Sequence, residues 1–323
     1  VSTTTTRRGA WACPDAVQTL PADAPRDAWL AERRRGIGGS DASTIAGVNR
    51  WSSRYELWLD KTGRLPERPE TVEMRMGRVL EPVVRELFTE ETGIPVRRAG
   101  LMVSRTHPWQ RVSVDGLTAD GGLFEAKTTN WRMAEEWDDD QVADHAEVQV
   151  QHALAVTGRS HAWVAVLIDG RRFEFRRVER DEHLILVLTG MEERFWTEHV
   201  LADVAPPMEP NALEVVKDQY RTVELDAVEA TDAARVRDIL ARRAAGKAME
   251  KAGQQQAATA EAELVALIGA AEALTVDGHP VATRKQITAH RLNGKALAAD
   301  HPDLVEQYTR PAPYRRLHIV KEK

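Results

Sequence analysis

From Val112 to Val178, strand-type and helix-type patterns follow one another in an order that constrains the fold more than any other feature of the sequence. Val112 and Val114 bracket Ser113. In Leu123-Phe124-Glu125-Ala126-Lys127, period-two alternation puts Leu123, Glu125 and Lys127 on one side of a strand and Phe124 and Ala126 on the other. Between these runs, Thr118–Gly122 is rich in residues that accept turn conformations, so a hairpin or bent strand pair is expected. A helical stretch, Asp144–Thr157, comes next. A β-branched, apolar run, Ala162–Ile168, and a second strand-type run, Arg172–Val178, then flank an Asp169-Gly170 turn. Helical patterns lie on either side. They cover Asp27–Arg35, a segment starting at Ser40 or Asp41, Tyr55–Lys61, Thr71–Glu91 and Glu182–Leu201. In Thr71–Glu91, Met74, Val79, Val83, Leu87 and Phe88 fall close to helical spacing, and Gly93 ends the run. Strands flanked by helices in this order predict an α/β fold with a mixed central sheet.

The same strands carry chemistry. If they converge, the Asp115 and Glu125 carboxylates repel each other unless a cation lies between them, and a hard divalent ion with oxygen ligands would supply it. Lys127, on the face of Glu125, could then orient a water or stabilise charge developing on a phosphate. The alternative is a solvated face on which these acids and the lysine simply pair. An aspartate followed some ten residues later by Glu-x-Lys is a loose pattern, and spacing alone leaves both readings open.

Composition narrows the field. A 29% charged fraction with net charge −6 excludes a generally basic nucleic-acid coat, so contact with a polyanion would need a local positive patch. The single cysteine, Cys13, excludes a disulfide framework and any four-cysteine zinc or iron–sulfur site. The start VSTTTTRRGA carries no signal-type apolar region and no run could span a bilayer, so a cytoplasmic location is expected. Five regions are expected. Residues 1–24 form a mobile leader, 25–205 the catalytic-type core and 206–212 a proline-bearing linker. Residues 213–273 form an Ala-rich helical hairpin turning near Gly253–Gln256. Residues 274–323 form a small α+β module with a hairpin at Asp277-Gly278, a short helix near Lys295–Tyr308 and a last strand, Arg315–Val320. From Arg284 onward nine Lys/Arg stand against four Asp/Glu, either a phosphate-contacting end or a solvated charged face.

Four segments together resemble the YqaJ-type viral recombinase family, relatives of the phage lambda exonuclease in the PD(D/E)xK nuclease superfamily. They are Arg33–Asp41 after Trp29, Gly77–Pro82, the Asp115…Glu125-Ala126-Lys127 core, and Glu147–His152 followed by Thr157-Gly158. The similarity spans residues 27 to about 200. A proline common before the first metal-binding aspartate is Val114 here. The resemblance implies a restriction-endonuclease-like core with a five-stranded mixed sheet. It also implies Mg²⁺-dependent 5′-to-3′ exonuclease action on double-stranded DNA ends, with Mn²⁺ as a substitute. Asp115 and Glu125 would be metal ligands, with the backbone carbonyl of Ala126 and Glu81 beside them. Lys127 would position the attacking water, and Gln149 would support the site. Arg33 would hold a terminal 5′-phosphate, with Ser40 near it and Arg34 and Arg35 as weaker candidates. Ring-shaped trimers among relatives imply a homo-oligomer, and the recombination role implies a single-strand annealing partner of the RecT type in the cytoplasm of a bacterial or phage-infected host cell.

Each role has a plainer rival. Glu81 could pair with Arg85 at i,i+4, Gln149 could be an ordinary polar helix position, and the arginines could be a solvated basic turn at a helix end. His107, His145 and His152 are expected at the surface or supporting the site, since an oxygen-rich magnesium site does not need them. Two other functions compete: a structure-specific or restriction-type endonuclease on the same core, and a non-catalytic DNA-end-binding scaffold.

Overall fold

The alternation across Leu123–Lys127 is resolved by a layer of helix on each side of the strand. In a computed structural model, described over residues 9–66, 70–225, 227–289, 292–311 and 314–320, the chain divides into two units, Val1–Tyr220 and Arg221–Lys323. The first unit runs β1 (Ala16–Gln18), α1 (Arg26–Arg34), α2 (Gly39–Ala46), α3 (Arg54–Lys61), α4 (Val72–Thr92), β2 (Val96–Arg97), β3 (Met102–Ser104), β4 (Arg111–Val112), β5 (Gly116–Thr118) and β6 (Leu123–Thr129). It continues through α5 (Asp144–Thr157), β7 (His161–Ile168), β8 (Arg172–Glu179), α6 (Glu182–Arg194), a π-helical turn at Phe195–Leu201, and α7 (Leu213–Gln219).

Five strands form a mixed sheet in the order β2-β5-β6-β7-β8. β6 and β7, joined through α5, pair in parallel, while the other neighbours pair antiparallel. On one face Leu123, Val164 and Val166 pack with Val150, Ala153 and Leu154 of α5. On the other, Phe124, Ala165 and Leu167 pack with Val84 and Phe88 of α4. A smaller antiparallel sheet, β1-β3-β4, lies beside it, and the chain passes from β4 to β5 through Ser113-Val114-Asp115. Among the described residues no helix is long and apolar enough to cross a membrane.

Several expectations need correction. Residues 9–24 are not a loose leader: Ala16 is buried, β1 pairs with β3, and Thr19 N–H donates to the Leu101 carbonyl at 2.9 Å. A three-residue strand is too short to show periodicity, and its attachment is backbone hydrogen bonding that composition does not reveal. The threonine run Thr3–Thr6 lies outside the described residues. In α4, Phe88 is buried, but Met74, Val79 and Val83 are exposed, because the face that packs on the sheet is the one carrying Val84 and Phe88. The 206–212 linker ends in a 3₁₀ turn, Pro210–Ala212, whose Ala212 packs with Val215 of α7 against Tyr55 and Trp58, so the boundary falls after Tyr220.

In the second unit one continuous helix, α8 (Ala233–Ile268), replaces the expected hairpin. Gly253 costs about 1 kcal/mol relative to alanine inside a helix, too little to break a run of Ala, Gln, Lys and Glu that lacks proline. β9 (Ala273–Val276) and β10 (His279–Thr283) form the expected hairpin, with Asp277 and Gly278 both at positive φ. The short helix is two, α9 (Gly294–Asp300) and α10 (Pro302–Tyr308), parted where Pro302 disfavours helical geometry at His301. Among the described residues Arg315–Val320 is not a strand.

Candidate active site

Asp115 occupies the step between the two sheets, and Glu125 and Lys127 lie two residues apart on β6. One Asp115 oxygen, Oδ2, accepts from the Ala126 N–H at 2.8 Å, which ties the step to β6. The Arg85 guanidinium donates to the Asp115 backbone carbonyl at 3.4 Å from α4. Lys127 Nζ donates to Glu125 Oε1 at 2.8 Å and to Oε1 of Gln149, on α5, at 2.7 Å. Gln149 Nε2 donates back to the same Glu125 oxygen. Gln149 is therefore not an idle polar helix position. The helix bearing it approaches α2 closely: a Cβ on Gly39 would stand 2.8 Å from Gln149 Cγ, so glycine is needed there.

The solvated-hairpin alternative does not survive this geometry, because the Glu125 and Lys127 side chains are only 7% and 20% exposed. Burial, then the negative charges of Glu125 and Glu81, hold Asp115 well above the ordinary carboxylate range. Among the described residues no hydrogen bond reaches Oδ1 of Asp115 or Oε2 of Glu125. Two open carboxylate oxygens under mutual repulsion are a donor set suited to a hard divalent cation. Glu81 does both things weighed for it: it pairs with Arg85 at 3.2 Å, and it lines the same cavity as Asp115. Among the described residues no three His, Cys, Asp or Glu side chains stand close enough together to ligate one ion, so Glu81 would have to turn from Arg85 to join the set.

That cavity, of about 710 Å³, is lined by Trp29, Arg33, Ser40, Glu81, Asp115 and Gln149 among others. Arg33 Nη2 donates to Ser40 Oγ at 2.8 Å and pairs with Asp41 at 2.9 Å, while its guanidinium lies 5.4 Å from the Trp29 ring centroid. Arg34 instead pairs with Asp60 at 3.2 Å and Arg35 with Glu32 at 3.1 Å, and neither lines the cavity. Lys61, which sequence reasoning passed over, pairs with Asp41 at 2.5 Å through a side chain with 0% exposure. Burial alone would raise Asp41, but Lys61 and Arg33 outweigh it and hold the carboxyl well below its ordinary range. A lysine closing an amphipathic helix gives no signal that it is buried. His107 lies against Trp109 and His152 is fully buried against Glu192, while His145 sits under the field of Lys127.

A mixed sheet that gathers two carboxylates, a lysine and a glutamine at one strand is the class of site the resemblance implied. The profile of the YqaJ-like viral recombinase domain matches residues 28–160. The uncharacterized protein YqaJ of Bacillus subtilis (strain 168) is 34% identical over 304 residues, covering 91% of this chain and 94% of that protein. The chain belongs to the YqaJ-like viral recombinase family. An alkaline exonuclease from Laribacter hongkongensis is similar at 25% identity and TM-score 0.47, over 55% of this chain and 94% of that one. A phage related exonuclease from Haemophilus somnus 129PT is similar at 11% identity and TM-score 0.39, over 52% and 96%.

Proposed function

We propose that the chain is a metal-dependent deoxyribonuclease that resects linear double-stranded DNA from the 5′ end by phosphodiester hydrolysis, in phage-type recombination. The observation that carries the proposal is the Asp115–Glu125–Lys127–Gln149 cluster, in which two carboxylates keep an open oxygen each beside a fixed ammonium. Asp115 and Glu125, with the Ala126 carbonyl and Glu81, would hold Mg²⁺ or Mn²⁺. Bound there, the cation would neutralise the scissile phosphate and acidify a water.

Lys127 has three N–H donors, and Glu125 and Gln149 take two. The third is left to hold the attacking water, with its direction set by the other two. Water oxygen bonds to phosphorus, the bond from phosphorus to the 3′ oxygen breaks, and the departing 3′ oxygen takes up a proton. The shortened strand then begins with a new 5′-phosphate. Arg33 suits that group: Ser40 and Asp41 hold one end of its guanidinium, and its side chain is 31% exposed in the cavity.

The family's recombination role supports two partners, a double-stranded DNA end and a single-strand annealing protein of the RecT type. The exposed row Val72, Met76, Val79 and Val83 on α4 supports a homo-oligomer, a closed trimer, in which a second copy covers it. Light scattering that gives a monomer at working concentration would remove the oligomer. The test of function is digestion of 5′-labelled linear, 3′-labelled linear and covalently closed duplex, with Mg²⁺ and with chelator. Early release of the 5′ label from linear duplex alone, abolished by chelator and by Glu125→Gln, is expected. Cutting of the closed circle would favour the endonuclease, and no Mg²⁺-dependent product would favour the scaffold.

A further inference from the structure

Of the nine tryptophans, Trp51 and Trp131 alone are exposed, at 62% and 69%. Each carries an arginine over its ring: the Arg50 guanidinium carbon lies 5.6 Å from the Trp51 centroid, and that of Arg132 lies 5.5 Å from Trp131. The two segments are joined, because Arg50 reaches Met133 Sδ at 3.4 Å and pairs with Glu136. Neither tryptophan is on a loose tether. The Trp51 backbone N–H donates to Asn49 Oδ1 at 2.9 Å, and the Trp131 backbone N–H to Asp169 Oδ2 at 3.1 Å.

The patch borders the hydrolytic cluster. Trp131 follows Lys127 by four residues at the end of β6. Trp51 stands edge-on to His145, with ring centroids 5.0 Å apart, and His145 is one helical turn before Gln149 on α5. Burial, followed by the charges of Lys127 and Arg50, pushes His145 down to about 4, so the ring is neutral at working pH and adds flat, uncharged surface. Flat aromatic faces interleaved with guanidinium groups match a polymer that alternates flat bases with phosphates. A protein partner would meet the same indoles, but the Arg132 guanidinium would then need a desolvated acid opposite it.

We propose that Trp51 and Trp131, with Arg50 and Arg132, form a stacking platform for unpaired bases of single-stranded DNA beside the hydrolytic cluster. The proposal rests on the nuclease reading for its biological sense, since resection is what generates single strands, but the binding itself is independent of hydrolysis. Fluorescence anisotropy of the full chain with labelled oligothymidylate and with an abasic oligomer of equal length, both in chelator, tests it. The wild type should bind oligothymidylate more tightly than the abasic strand. Trp51→Ala and Trp131→Ala should each weaken oligothymidylate binding roughly 5- to 100-fold, the range expected for loss of one stacked base, with little change for the abasic strand. Trp131→Phe should retain most of the affinity, and circular dichroism with thermal melts establishes that each variant is folded. Equal binding of both oligomers by the wild type, or alanine variants that bind as the wild type does, would overturn the platform. Failure of the nuclease reading shows separately, as absent Mg²⁺-dependent digestion by the wild type.

Discussion

Replacing Glu192 with glutamine should destabilise the first unit markedly. His152 Nδ1 lies 2.8 Å from Glu192 Oε1, and Nε2 lies 2.9 Å from the Arg111 carbonyl. A carboxylate and a carbonyl only accept, so both ring nitrogens must carry protons and His152 is an imidazolium. Glu192 Oε2 accepts from Gln110 Nε2 at 2.8 Å, and the side chains of His152 and Glu192 are 0% and 1% exposed. Burial opposes the charge on His152, but Glu192, helped by the Arg111 carbonyl and by Asp41, outweighs it and raises its pKa above the ordinary 6.5. Glu192→Gln removes the counter-charge and turns an amide N–H₂ toward one of two donors. Breaking one side of a buried pair costs about 3–5 kcal/mol, and release of the His152 proton recovers part of that. A loss of about 3 kcal/mol in a unit of this size lowers the melting midpoint by roughly 6–12 °C. Because the folded pKa is raised, the pair's stabilisation is complete below pH 6.5 and fades as pH rises through the folded value. The deficit should therefore be largest near pH 6 and shrink toward alkaline pH. All nine tryptophans precede residue 221, so fluorescence melts report this unit alone. An unchanged midpoint at pH 6, or a deficit that widens with pH, would refute the imidazolium.

Lys127→Ala should lower turnover by about 10²- to 10⁴-fold while calorimetric Mg²⁺ affinity changes far less, since the proposed mechanism has the lysine hold the water and not the cation. Arg33→Ala should slow digestion of 5′-phosphorylated duplex much more than of 5′-hydroxyl duplex, and equal slowing of both would show that Arg33 does not read the terminal phosphate. A fragment ending after Tyr220 should fold and cleave linear duplex, whereas one ending at Pro210 should lose stability, because it lacks Ala212 and Val215. Loss of all cleavage by a folded 1–220 fragment would place part of the chemistry in the second unit.

The strand carrying Glu125 and Lys127 was legible because both its faces are covered, and α5 was legible because its apolar residues and its closing glycine, Gly158, are local. Other features depend on partners distant in sequence. Lys61 is 20 residues from Asp41, and His152 is 40 from Glu192, so neither ion pair leaves a local pattern. The exposure of Met74, Val79 and Val83 was hidden for the same reason: periodicity shows that a helix has apolar residues at helical spacing but not which of them the sheet beneath covers. The joined helix in the second unit failed on magnitude. One glycine was read as a turn when its cost is small beside the helix propensity around it.

The cluster is pre-organised through one helix. Lys127 and Gln149 both spend a donor on the same oxygen of Glu125, which fixes the lysine's direction and at the same time leaves the other oxygen open for a cation. Both effects require Gln149 to hold its place, and Gln149 belongs to α5, pressed against α2 at Gly39. Less than one turn further along α5, His152 bonds α6 through Glu192 and β4 through the Arg111 carbonyl. β4 leads within four residues to Asp115. A single buried imidazolium thus ties the helix that aims Lys127 to the strand that delivers Asp115. Loosening it should therefore lower turnover of the folded protein, with Glu192→Gln affecting kcat even at temperatures far below its melting midpoint. Wild-type kcat in that variant, measured where it is fully folded, would show that the pair serves stability alone.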